Sequence, residues 1–125
     1  MSKAAPRVLV VDDFPNMRKL LRNMLRQVGF RESDEAADGG AALDKLRTHG
    51  FDAVVSDWNM EPVSGLQLLQ AVRADPLLQH LPFVMVTGTA TAAARALEIG
   101  ADGSLGKPLS AGALKDALLH AMARR

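Results

Sequence analysis

Cysteine is absent from the 125 residues, which excludes disulfides, thiolate metal sites and cysteine nucleophiles. That absence agrees with a reducing compartment. Neither sign of charge dominates. Lys+Arg 15 against Asp+Glu 14 leaves a formal +1, with no general pull toward nucleic acid or an anionic membrane. Long apolar runs are missing as well: the N-terminal MSKAAPRVLVV is too weak for a secretory leader, and no later run approaches membrane-spanning length. The expected location is the cytoplasm. His49, His80 and His120 are scattered without metal-ligand spacing and read as surface residues. ADGGAAL carries glycines without a strand–GxGxxG–helix setting, so dinucleotide binding is not expected. No linker, low-complexity tract or internal repeat divides the chain. Residues 1–125 therefore read as a single domain, long enough to bury a core without staples.

What is present is an alternation of two patterns. Short apolar runs rich in β-branched residues occur at Arg7–Val11, Ala53–Asp57 and Pro82–Val86, with a weaker one at Gly103–Leu105 and a polar candidate at Glu32–Ala36. Between the first two strand candidates, Met17, Leu20, Leu21, Met24, Leu25 and Val28 recur at helical spacing, and Gly29 is placed to end that helix. Further helices are expected over Gly39–His49, Ser64–Ala74, Ala90–Ile99 and Ala111–Arg124, the last with Leu114, Leu118, Ala121 and Met122 facing inward. Asp75-Pro76 and Gly100-Ala101-Asp102-Gly103 read as breaks. Met17, Met24, Met85 and Met122 fall on core positions by periodicity. Alternating strands and helices imply a parallel α/β sheet. VLVV, AVVS and FVMV lack a polar alternate, as strands covered on both faces should.

In an open sheet of this kind, functional groups collect beyond the carboxyl ends of the strands. After the first strand stand Asp12 and Asp13; the third ends in Asp57; Thr87 follows the fourth and Lys107 lies just beyond the fifth. An adjacent acidic pair alone means little. With 14 acidic residues in 125, roughly one or two such pairs arise by chance, and Asp34-Glu35 is a second one. The company of Asp12-Asp13 is what matters. Three carboxylates brought together need compensation, and an all-oxygen set with room for water favours Mg²⁺. One carboxylate can then act as nucleophile toward a phosphoryl group, with the metal and Lys107 neutralising the developing charge and Thr87 donating a hydrogen bond.

VLVVDD, SDWNM, MVTG and GKP, in that order and spacing, resemble the receiver domain of two-component response regulators across nearly the whole chain. VVDDFPNMRKLLRNML and SDWNM look most like the single-domain, CheY-type chemotaxis regulators. The resemblance implies a flavodoxin-like (βα)5 doubly wound parallel sheet of strand order 2-1-3-4-5. It implies that Asp57 accepts phosphate from a histidine kinase, and that Asp12, Asp13, Asp57 and the backbone carbonyl of Asn59 hold Mg²⁺. Thr87 and Lys107 would contact the phosphoryl group, and Lys107-Pro108 would be a cis peptide bond. The sequence departs from the family pattern in places, most of all at one position. Ser104 stands where an aromatic residue usually reports phosphorylation to a partner. Gly88 in place of a usual alanine, and a small-sided fourth helix (ATAAARALEIG), are lesser departures on a face that commonly binds targets.

The leading expectation is a phosphorylation-driven switch, monomeric and without enzymatic turnover beyond slow self-dephosphorylation. Its output would be a changed protein-binding surface, with the flagellar motor switch or a phosphatase as candidate targets. A phosphate sink or shuttle within the relay is the alternative. A Mg²⁺-dependent phosphohydrolase is a third possibility, but such enzymes usually carry Asp-x-Asp on the first strand and a general acid two residues after the nucleophile, and no such pair exists here. Arg18, Lys19, Arg22 and Arg26 form a basic stripe on the first helix, read as a solvated polar face ahead of a docking surface. Nucleic-acid binding through it is not expected at this net charge. Trp58, the single tryptophan, is expected beside the site and partly exposed.

Overall fold

The computed structural model describes residues 5–125; the first four residues of the stretch read against a leader lie outside it. Strands β1 (Arg7–Val11), β2 (Glu32–Ala36), β3 (Ala53–Asp57), β4 (Phe83–Thr87) and β5 (Gly103–Gly106) alternate with helices α1 (Pro15–Gln27), α2 (Gly39–Thr48), α3 (Gly65–Ala74), α4 (Ala90–Ile99) and α5 (Ala111–Arg124). All pairings are parallel and the order is β2-β1-β3-β4-β5. This is the doubly wound, flavodoxin-like arrangement.

Strand alternation divides the core in two. Leu9, Val11, Val54, Phe83 and Met85 face Leu46 of α2, Leu68, Leu69 and Val72 of α3, and Ala96 of α4. Val8, Val10, Ala53, Val55, Val84 and Val86 face Leu21 and Leu25 of α1 and Leu114, Leu118 and Ala121 of α5. Both faces of the central strands are dry, which is why those runs contain no polar alternate. Each large side chain fully buried there contributes about 1.5–3 kcal/mol of transfer free energy.

Local signals set the helix ends. Asp38, Ser64, Thr89 and Ser110 each accept a hydrogen bond from the backbone N–H three residues on, and Ser64 with Gln67 forms a reciprocal capping box. Gly29, at φ 100°, terminates α1 while Phe30 N–H donates to the Leu25 carbonyl at 2.8 Å.

Some boundaries differ from expectation. Ser64 and His49 are caps of α3 and α2, not helical residues. The fourth strand begins at Phe83 and includes Thr87, because Pro82 has no N–H to give a ladder while Thr87 lies opposite Gly106, which also extends the fifth strand by one residue. Leu20 is 43% exposed despite its apolar spacing. At about 100° per residue it lies about 100° from Leu21 and about 140° from Leu25, the two residues of α1 that are buried. Met85 is fully buried, whereas Met17, Met24 and Met122 pack on the core rim. The three histidines are exposed, as expected.

A second polar centre lies at the opposite end of the sheet from the carboxyl strand ends. The Asp102 side chain, wholly inaccessible, meets Arg73 at 3.1 Å, Arg124 at 3.1 Å and Arg125 at 2.8 Å, and accepts the Phe83 N–H at 2.9 Å. Arg73 also donates to the carbonyls of Gly100 and Leu81. The break read at Gly100–Gly103 is thus a pinned corner.

Candidate functional site

Strand register brings the acidic residues together. Val11 lies opposite Ser56, so Asp12 and Asp57 leave β1 and β3 side by side. Asp57 is opposite Val86 and Thr87 opposite Gly106, which carries the same edge across to Lys107. One carboxylate oxygen from each of Asp12, Asp13 and Asp57 lies within 4.8 Å of the others. Asp12 and Asp57 are buried, whereas Asp13 faces solvent. The Lys107 Nζ is 3.5 Å from Asp57 Oδ1.

These charges are uncomfortable without help. Burial pushes the Asp12 carboxyl above its ordinary range; the Phe14 N–H, donating to Oδ1 at 2.9 Å, opposes this, and the carboxylates of Asp57 and Asp13 reinforce it. Burial raises Asp57 as well, opposed chiefly by Lys107. Three carboxylates against one ammonium is a set that a hard divalent cation completes, and every donor is oxygen. The residues therefore fit a metal of the Mg²⁺ class.

The remaining site residues ring this trio. Asn59 shares with Asp13 an open pocket of about 340 Å³ that also includes the exposed Phe14. Thr87 is buried, its hydroxyl 3.4 Å from the Thr89 carbonyl. A second pocket, of about 240 Å³, runs from Thr87 and Lys107 past Ala90 and Ala93 to Ser104; serine leaves that space open. Trp58 is half-buried against the core next to Asp57. The Lys107-Pro108 bond is cis, as the resemblance implies, and so is Glu61-Pro62.

Sequence reasoning missed three supports of this site. Gly65 sits so close that a Cβ there would collide with the Asp57 carbonyl, and its N–H donates to the Trp58 carbonyl at 3.1 Å. Arg18, read as part of a solvated stripe, is largely buried: its Nε contacts Glu35 Oε1 at 2.8 Å, and its Nη1 donates to the Asp12 carbonyl at 2.8 Å. Glu35, read as half of a chance doublet, also holds Arg22 at 2.7 Å, and its neighbour Asp34 pairs with Lys45 at 3.0 Å. The advance signal for the Arg18 and Glu35 contacts is strand order, which lays β2 against β1.

The family model of the response regulator receiver domain matches residues 8–119. The chain is 45% identical over 112 residues to the chemotaxis protein CheY of Pseudomonas aeruginosa, covering 88% of this chain and 90% of that one. It is 43% identical over 114 residues to the chemotaxis protein CheY-3 of Vibrio cholerae, covering 90% and 88%. The solved structure of the chemotaxis response regulator CheY4 of Vibrio cholerae superposes with a TM-score of 0.83 at 30% identity, over 94% of this chain and 99% of that one. The chain thus agrees with these relatives in sequence over most of its length and in the shape of its five-stranded fold, and it belongs to the response regulator receiver domain family.

Proposed function

We propose that this protein is the phosphoacceptor switch of a two-component relay, with Asp57 as the residue phosphorylated by a histidine kinase. The observation that carries the reading is the joint placement of Asp12, Asp13 and Asp57 within ligand distance of one another, with Lys107 on Asp57. Asp12, Asp13, Asp57 and the Asn59 carbonyl would hold Mg²⁺, which when bound neutralises the carboxylates and the phosphoryl oxygens. An oxygen of Asp57 attacks phosphorus; the P–N bond to the kinase histidine breaks, and its electron pair returns to the imidazole. Lys107 offsets charge on the transferred group, and Thr87 turns its hydroxyl from the Thr89 carbonyl toward a phosphoryl oxygen. Asn59, whose amide is no general acid, occupies the position two residues after Asp57 where a Mg²⁺-dependent phosphohydrolase usually carries one. On this reading the protein is an acceptor that loses its phosphate slowly rather than a turnover enzyme.

The likeness to chemotaxis proteins supports a role in that behaviour, through a partner surface that changes when Thr87 moves. The open pocket at Ser104 favours a second output, a phosphate sink or a partner other than the motor switch, because no aromatic side chain follows Thr87 inward. Trp58 supplies the test. Its fluorescence is followed on adding Mg²⁺ and then acetyl phosphate, in wild type and Asp57→Asn. A phosphodonor response with one phosphoryl's added mass in wild type alone is expected. No added mass in wild type sinks the reading.

A further inference from the structure

We propose that Arg18 is a positioning residue for the metal centre, acting through the peptide group between Asp12 and Asp13. This rests on the metal-binding reading of the carboxylate trio.

The carbonyl that Arg18 holds belongs to the peptide bond joining the two consecutive acidic residues. That one planar unit sets ψ of Asp12 and φ of Asp13 together, and with them the directions of both side chains. Its other constraints do not fix the plane. Asp12 N–H donates to the Ala36 carbonyl at 3.2 Å, on the preceding peptide unit. Phe14 N–H binds the Asp12 carboxylate, on the following one. Among the described residues, the Arg18 guanidinium alone donates to the oxygen between them.

Arg18 is itself locked. Its side chain is 14% exposed, and Nε and Nη1 engage Glu35 and the Asp12 carbonyl at once, both at 2.8 Å. Glu35 is in turn anchored by Arg22, which also donates to Ser33 Oγ at 3.0 Å and to the Ser33 carbonyl at 3.1 Å. The chain of contacts runs from β2 through a planar fork to the loop carrying two metal ligands. Glu35 also neutralises the guanidinium, so the fork adds little repulsion against a cation. Lysine cannot substitute: a single ammonium lacks the two fixed, diverging N–H groups.

The sign of the effect separates positioning from charge. If Arg18 acted only as a nearby cation, its removal would tighten Mg²⁺ binding. As a positioning residue, its removal weakens binding. The experiment is calorimetric titration of Mg²⁺ into wild type, Arg18→Met and Arg18→Lys, beside urea unfolding of each without metal. Both variants are expected to bind about 10-fold more weakly, the usual size for outer-shell partners of a metal, with lysine giving no rescue. Wild-type or tighter affinity in Arg18→Met overturns the proposal, as does full rescue by lysine. A loss of metal-free stability with unchanged affinity in the folded variants also overturns it, leaving Arg18 a structural residue. Failure of wild type to bind Mg²⁺ overturns the metal reading itself, and the inference with it.

Discussion

Replacing Gly65 by alanine sets two physical effects of opposite sign against each other. Gly65 opens α3, where alanine is the better helix former by about 1 kcal/mol. Propensity alone therefore expects a stabilised protein. The site says otherwise. An added Cβ would run into the Asp57 carbonyl oxygen, and would lie 2.9 Å from the Asp57 carbonyl carbon and 3.0 Å from Met85 Sδ. Two of those atoms are backbone of a central strand, so no rotamer change relieves the overlap. The start of α3 must lift away, and the 3.1 Å hydrogen bond from Gly65 N–H to the Trp58 carbonyl is strained or lost. Overpacking of this kind costs about 1–3 kcal/mol and the hydrogen bond about 1 kcal/mol. Offset by propensity, the net loss is about 1–3 kcal/mol. For a chain of 125 residues, about 3–5 °C of Tm per kcal/mol translates this into a fall of roughly 3–15 °C. Gly112→Ala is the control, since it lies in α5 with nothing within 4 Å of the added Cβ; it should stabilise by up to about 1 kcal/mol. Urea and thermal unfolding measure both, and acetyl phosphate labelling of folded Gly65→Ala should be slower because the Asp57 backbone is displaced. A Gly65→Ala protein as stable as wild type would refute the steric argument.

Three further outcomes are expected. Because burial raises the folded-state pKa of Asp12 and Asp57 above 3.8, the metal-free native state holds protons that the unfolded chain releases. The stability these groups give is complete below that value and declines as pH rises through their raised folded values; Asp57→Asn should flatten that decline and raise the metal-free Tm at neutral pH, and a lowered Tm there would contradict it. Mg²⁺ at 100 times its dissociation constant should stabilise wild type by about 2.7 kcal/mol, and Asp13→Asn should lose most of that gain in a thermal melt while keeping its metal-free stability. Asp102→Ala strands the half-buried Arg73 and unpairs the Phe83 N–H, at about 3–5 kcal/mol; a urea-unfolding loss under about 1 kcal/mol would show that the arginines rearrange.

The sequence by itself determined the alternation of strand and helix, since VLVV, AVVS and FVMV can be buried on both faces only in a parallel sheet covered by helices. Chain order then sufficed to put Asp12, Asp13, Asp57, Thr87 and Lys107 at one edge, because each ends or follows a strand whose direction is common to all. Polar β2 was legible only weakly, as Ser33, Asp34 and Glu35 contact Arg22, Lys45 and Arg18 while Ala36 alone of the strand is buried. What tertiary structure alone decided is how the edge is held. Arg18 and Glu35 are 17 residues apart and meet only because β2 lies beside β1; helical periodicity records which side of α1 faces the core, not which guanidinium on the polar side finds a carboxylate. Likewise, nothing local marks Gly65 as touching Asp57, or Asp102 as the anchor of three arginines. Those contacts depend on register and helix placement, which emerge when the two cores pack against a common sheet.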